Sequence, residues 1–155
     1  MKPITFSCVE TLGVSADEIA RQILDVANWR DFKGFAFLPG IKVAQFEVRS
    51  PEIVGSRIKV TNTDGSSHVE EIVEWQTDRR LRLHMQEFSP PLARLATDFE
   101  ETWEFERTDD GTKVIRSFEL YAKSVLTRPF LWVISVFLKK AIARHLVQMR
   151  DGASS

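Results

Sequence analysis

Apolar and polar residues alternate in short runs from Ile41 to Ala122, and beyond Pro129 they recur at helical spacing. Period two marks strands with one buried face, and period 3.6 marks a helix. The first run, Ile4–Leu12, places Ile4, Phe6, Cys8 and Leu12 on one face, and Gly13 ends it. Ser15-Ala16-Asp17-Glu18 has capping-box spacing ahead of Ile19, Ile23 and Leu24, which predicts a helix. A second short helix is expected over Val26–Phe32, broken by Gly34, Pro39 and Gly40. Strands are then predicted at Ile41–Val48 and Arg57–Asn62, with Asp64-Gly65 as a hairpin turn. Val69–Trp75 and Leu81–Phe88 follow as a pair. After a longer connection opened by Ser89-Pro90-Pro91, Phe99–Glu106 turns through Asp109-Asp110-Gly111 into Val114–Ala122.

The predicted order is one strand, two short helices, six strands and a long helix over Pro129–Asp151, with a frayed tail at 152–155. Strands run together without interleaved helices imply an antiparallel sheet and the α+β class. A single long helix after such a sheet is buried most economically if the sheet curls around it. The expected product is a seven-stranded sheet wrapped around the C-terminal helix, with a cavity between them.

That helix directs Leu131, Ile134, Leu138, Ile142, His145 and Met149 to one side. Its other side carries Lys140, Arg144 and Gln148 in the second half, but Phe130, Val133, Val136 and Phe137 in the first. An apolar outer face is either covered by the Ser89–Thr97 connection or available to a second copy, a partner or a lipid surface.

Composition narrows the setting. A chain of 155 residues with 43% hydrophobic and 28% charged positions is expected to form one soluble domain, residues 1–151. A net charge of −1 supplies no global field for nucleic acid or anionic lipid. A single cysteine, Cys8, excludes an internal disulfide and fits a reducing compartment, so a cytoplasmic protein is expected. Met1–Phe6 lacks an apolar signal core, and Phe130–Leu138 falls short of the ~20 residues that span a bilayer.

The element order, the Ser15-Ala16-Asp17-Glu18-Ile19 start and Asn28-Trp29-x-x-Phe32 resemble the helix-grip superfamily. That group includes the START-like lipid-transfer domains, the birch-pollen-allergen-like proteins and the polyketide cyclase/dehydrase-like (SRPBCC) branch. Val69–Trp75 running into Asp78-Arg79-Arg80-Leu81, and Trp103-Glu104-Phe105 before Gly111-Thr112-Lys113-Val114, are similar to the bacterial cyclase-like branch in particular. The resemblance covers almost the whole chain. It implies an apolar pocket for lipids, sterols, polyketides or other hydrophobic ligands, with enzymes in the minority.

Candidate chemistry is sparse. Alternation places Glu10, Glu71, Glu87 and Glu101 on the apolar faces of their strands. A hairpin that pairs Phe105 with Val114 sets Trp103 opposite Arg116 and Glu101 diagonal to it, so an inward Glu101–Arg116 ion pair is expected. That pair is either structural or the anchor for a ligand's polar end. His68, beside a turn, and His84, on the Arg80/Arg82 face, are expected in solvent. His145 is either a satisfied core histidine or a hydrogen-bonding group in the pocket. Cys8 is expected to be a small buried residue. Arg79-Arg80-x-Arg82 and Lys139-Lys140 lack the aromatic interleaving of a nucleic-acid platform. No phosphate-cradling loop, nucleophile elbow or metal spacing is present in the sequence, so no cofactor and no metal are expected.

Three functions remain. The first is a carrier of a small hydrophobic molecule, in a cavity walled by Leu83, Met85, Phe99, Trp103, Phe118 and Leu138, with Ile142 on the helix. The second is a cofactor-independent cyclase or dehydratase using Glu101, Arg116 and His145. The third is an interaction module working through Phe130, Val133 and Phe137, as a homodimer or at a membrane.

Overall fold

The computed structural model describes residues 1–153. Strand β1 (Ile4–Leu12) is followed by helix α1 (Ala16–Leu24) and a 3-10 turn (Val26–Asp31). Strands β2 (Ile41–Val48), β3 (Arg57–Asn62), β4 (Ser67–Gln76) and β5 (Arg80–Gln86) come next. A second 3-10 turn (Leu92–Arg94) precedes β6 (Ala96–Thr108), β7 (Gly111–Ala122) and α2 (Arg128–Ala153). The strands form one sheet in the order β1-β7-β6-β5-β4-β3-β2. Every neighbouring pair is antiparallel.

Strands β1 and β2 are successive in the chain yet lie at opposite edges of the sheet, so α1 and the 3-10 turn must cross between them. Ser15 starts α1 as expected, its Oγ accepting from the Glu18 amide at 3.2 Å. Ile19, Ala20 and Ile23 are the buried face of α1. At the β6–β7 turn, Gly111 has φ +149°, and a Cβ there would lie 2.0 Å from the Leu12 carbonyl oxygen. Only glycine allows β1 to end against that turn.

Helix α2 packs on β1 and β7. Leu131, Ile142 and Leu146 are fully buried beneath it. Buried Ser135 donates to the Trp132 carbonyl at 2.6 Å, so its hydroxyl is satisfied within the helix. Cys8, also buried, lies with its Sγ 3.5 Å from the Lys139 carbonyl, and burial pushes its thiol pKa up. The expected small buried cysteine is what the fold contains.

Several boundaries and faces differ from the sequence expectation. Helix α2 continues through Ala153, so Gly152 and Ala153 are helical where a frayed tail was expected, while Ser154 and Ser155 lie outside the described residues. In β4 the pairing with β5 shifts between Ile72 and Glu74, leaving Val73 as an extra residue on the outside. Such a bulge reverses the alternation on its two sides. Upstream of it the inward residues are therefore His68, Glu70 and Ile72, and Glu71, expected inward, faces out and pairs with Arg57 at 3.1 Å. Strand β5 ends at Gln86, two residues early, because Glu87 takes φ +56°. Its carboxylate swings out to meet Arg57 instead of facing the core. Glu10 does face inward, where Arg150 of α2 reaches it at 3.2 Å.

On the convex face Arg80 and Arg82 meet Glu74, Arg82 also meets Glu100 at 2.9 Å, and His84 meets Asp98 at 2.9 Å. This is the half-exposed polar face expected for Arg80, Arg82 and His84, and such exposed pairs contribute little stability.

Candidate functional site

Between α2 and the concave face of the sheet lies a cavity of about 460 Å³. All ten residues singled out from the sequence line it: Leu83 and Met85 on β5, Phe99, Glu101 and Trp103 on β6, Arg116 and Phe118 on β7, and Leu138, Ile142 and His145 on α2. Simple alternation brings these strand positions together, because β5, β6 and β7 are adjacent and their mutual registers pair Leu83 with Glu101 and Trp103 with Arg116. The expected Phe105–Val114 pairing is present, and with it the diagonal from Glu101 to Arg116.

The floor is a polar island in this apolar surface. Arg116 Nε donates to Glu101 Oε2, and both side chains are buried. Its Nη1 lies 3.0 Å from His145 Nδ1. A guanidinium only donates, so the imidazole accepts at Nδ1 and carries its proton on Nε2. The guanidinium carbon stands 4.3 Å from the Trp103 ring centre, a cation–π contact that holds its plane against the sheet. Phe32 meets the His145 ring edge-on, at 5.8 Å and 77°. His145 thus accepts from Arg116 through Nδ1 and lines the cavity.

Burial sets the protonation of this island. Loss of solvent pushes the Glu101 carboxyl up from the usual carboxylate range, Arg116 pulls it back, and Glu70, two strands away on β4, pushes it up again. The His145 pKa is driven down to about 3, first by burial and then by the positive charge of Arg116. Unfolded, the same histidine would titrate near 6.5. Between those values the unfolded chain binds the extra proton, so the stability due to neutral His145 is complete above about 6.5 and lost as pH falls toward 3. His145→Gln is expected to remove up to about 1.4 kcal/mol per pH unit of the acid-side loss between pH 6 and 4. Urea unfolding at stepped pH checks this, and parallel stability profiles for the two proteins would contradict it.

A second polar pair stands on the β4 wall. Glu70 is buried, and its Oε2 lies 2.9 Å from His68 Nε2. The sequence reading placed His68 in solvent. Its side chain is only 14% exposed, because the bulged β4 turns it inward and Phe88 covers it with ring centres 5.9 Å apart. The available signal was the alternation of His68, Glu70 and Ile72 with the inward Val60 and Ile58 of β3, to which His68 and Glu70 pair.

The far end and the mouth of the cavity also come from segments outside the strand pattern. Trp29 satisfies its indole N–H on the Ile23 carbonyl at 2.8 Å, which frees its ring to line the space. Gly34 at φ +74° turns the chain so tightly that a Cβ would sit 2.2 Å from the Leu38 carbonyl oxygen. The reciprocal Phe35–Leu38 bridge then presents Phe37 at the rim. Exposed lining residues Phe37, Asp64 and Pro91 mark where the cavity meets solvent.

Among the described residues, no group of three or more His, Cys, Asp or Glu is placed to hold a metal ion. Among them, no helix is long and apolar enough to cross a membrane.

A family model described as polyketide cyclase / dehydrase and lipid transport matches residues 3–153. Among solved structures, the chain is similar to a START superfamily protein from Mycobacterium smegmatis, with a TM-score of 0.72 and 12% identity over 96% of this chain and 97% of the other. Ara h 8.0201 matches with a TM-score of 0.59 and 16% identity over 94% and 98%. The di-domain ARO/CYC BexL from the BE-7585A biosynthetic pathway matches with a TM-score of 0.67 and 17% identity, covering 98% of this chain and 50% of that one. These likenesses show a shared helix-grip fold. No curated protein matches the sequence significantly.

Proposed function

Because the chain belongs to the polyketide cyclase / dehydrase and lipid transport family, we propose that its cavity binds and carries a small hydrophobic molecule with one polar end. The observation that carries this reading is the chemistry of the lining. Aliphatic and aromatic side chains surround about 460 Å³, within the range typical of small-molecule sites; Glu101, Arg116 and His145 make a polar cluster at the floor, and His68 and Glu70 make a second one on the β4 wall. Arg116 supplies N–H donors and Glu101 an acceptor, so a carboxyl, carbonyl or hydroxyl head is the complementary group. The body of the ligand, an acyl chain or a flat ring system, lies along Leu83, Met85, Phe99 and Leu138.

Native mass spectrometry of the protein purified without detergent tests this. A co-purifying mass, released on denaturation and apolar on extraction, is expected. Absence of that mass, together with failure to bind a fluorescent fatty acid, overturns the reading.

A cyclase or dehydratase is the second reading. One observation favours it: Glu101 and His145 are both held away from their ordinary protonation behaviour, as acid/base groups in active sites are. A carrier returns its extracted ligand chemically unchanged after incubation. Conversion of that ligand on the protein would move the conclusion to the enzyme.

A further inference from the structure

The outer side of α2 opposes two properties that a solvated helix keeps apart. Its first turns expose Phe130 at 65%, Trp132 at 56% and Val133 at 44%. The connection before it exposes Val125 at 74% and Leu126 at 84%. The Ser89–Thr97 connection leaves this patch uncovered, although Thr127 Oγ1 ties the start of α2 to the Leu95 carbonyl at 3.0 Å. Val136 and Phe137 are half-buried, and Phe137 is covered by a different segment: Phe35 and Phe37 lie against its ring at 6.2 and 4.6 Å.

Charge is segregated along the same element. From Ala122 through Arg150 the chain has Lys123, Arg128, Lys139, Lys140, Arg144 and Arg150, and not one Asp or Glu. Among the described residues, the first five form no ion pair with a carboxylate. The near-neutral whole chain therefore conceals a locally cationic face. Lys139, Lys140 and Arg144 continue the outer stripe one to three turns beyond Val133.

We propose that this flank of α2, with the Val125-Leu126 connection, docks the protein onto an anionic lipid bilayer. Trp and Phe occupy the interfacial region of bilayers, and unpaired Lys and Arg beside them find lipid phosphates and carboxylates. Charge complementarity selects this occupant over a second copy. A two-fold contact through the same face brings two cationic stripes into one interface to which Ala122–Arg150 contributes no carboxylate, and like charges repel. Docking also has a consequence for traffic: the patch continues through Phe137 to Phe37 at the cavity rim, so the mouth faces the bilayer. The surface stands on its own residues whatever fills the cavity.

Sedimentation with phosphatidylcholine vesicles, with and without about 30% phosphatidylserine, provides the test. The wild-type protein is expected to bind the anionic vesicles at least tenfold more tightly, to release at high salt, and to show a blue shift in emission that Trp132→Phe removes. Phe130→Ser with Trp132→Ser is expected to abolish binding. Lys139→Gln and Lys140→Gln each weaken it about fivefold, the loss of roughly 1 kcal/mol per cation. These side chains are exposed, so unchanged thermal unfolding certifies each variant. Equal binding to neutral and anionic vesicles, or no binding to either, overturns the proposal. It is also overturned if the Phe130/Trp132 variant halves the solution mass without altering vesicle binding, which assigns the face to a second copy. Retention of ligand by the non-docking variant shows that the cavity reading survives independently.

Discussion

Arg116→Leu is expected to lower the unfolding free energy by about 3–5 kcal/mol, the usual result of leaving one member of a buried ion pair alone. Glu101 is only 3% exposed, and the guanidinium of Arg116 is its hydrogen-bond partner. Without Arg116 the carboxylate has neither water nor counter-charge, and Trp103 and His145 lose the group that packs between them. The sign with pH follows. Burial then raises the Glu101 pKa unopposed, so the folded variant holds a proton that the unfolded chain has released. Its deficit shrinks as pH falls and grows as pH rises. Glu101→Leu added to Arg116→Leu removes the orphaned charge and is expected to recover most of the loss. Urea denaturation of the single and double variants decides the matter. A loss below about 1 kcal/mol for the single variant would mean that solvent reaches the floor.

The second large effect concerns the space itself. Ile134 and Leu138 are one turn apart on α2, partly buried, and both line the cavity. Replacing both with Trp is expected to weaken binding of an apolar fluorescent probe about a hundredfold, the equivalent of roughly 2.8 kcal/mol. Overpacking normally costs 1–3 kcal/mol in a filled core, but here the added rings grow into empty volume. Thermal stability should therefore stay near that of the parent. Unaltered affinity would show that the probe occupies another site. Collapse of the fold would show that α2 has no room to spare.

The two variants probe features of different legibility. Glu101 and Arg116 were readable as a pair because three facts in the sequence combine: a short hairpin at Asp109-Asp110-Gly111, strict alternation on both sides, and two charges on otherwise apolar faces. Leu83, Met85, Phe99 and Trp103 followed from the same regularity, since unbroken strands keep their inward set for their whole length. Glu71 faces out, against expectation, and His68 and Glu70 face in, because the bulge at Val73 breaks that regularity. An extra residue carries no compositional mark, and its position is set by how tightly the sheet must curl. Glu87 was lost for a related reason: a left-handed residue ends β5, and nothing in Gln86-Glu87-Phe88 demands it.

Net charge leaves the local arrangement of charges unread. A sum of −1 describes the far field of the molecule, whereas docking depends on which charges share a face. The absence of acidic residues along α2 was visible in the chain. That Phe130, Trp132 and Val133 stay uncovered while Phe137 does not was decided by the path of the Gly34–Gly40 loop.

Periodicity alone therefore determined the strands, the long helix, the α+β class and the inward faces of β5, β6 and β7, because those depend on contacts between near neighbours along regular backbone. Tertiary structure alone decided the size of the cavity, its second polar wall and the exposed flank of α2. Those depend on bulges, loop paths and the distance at which a curved sheet holds its helix, and each is set by packing between residues far apart in the chain.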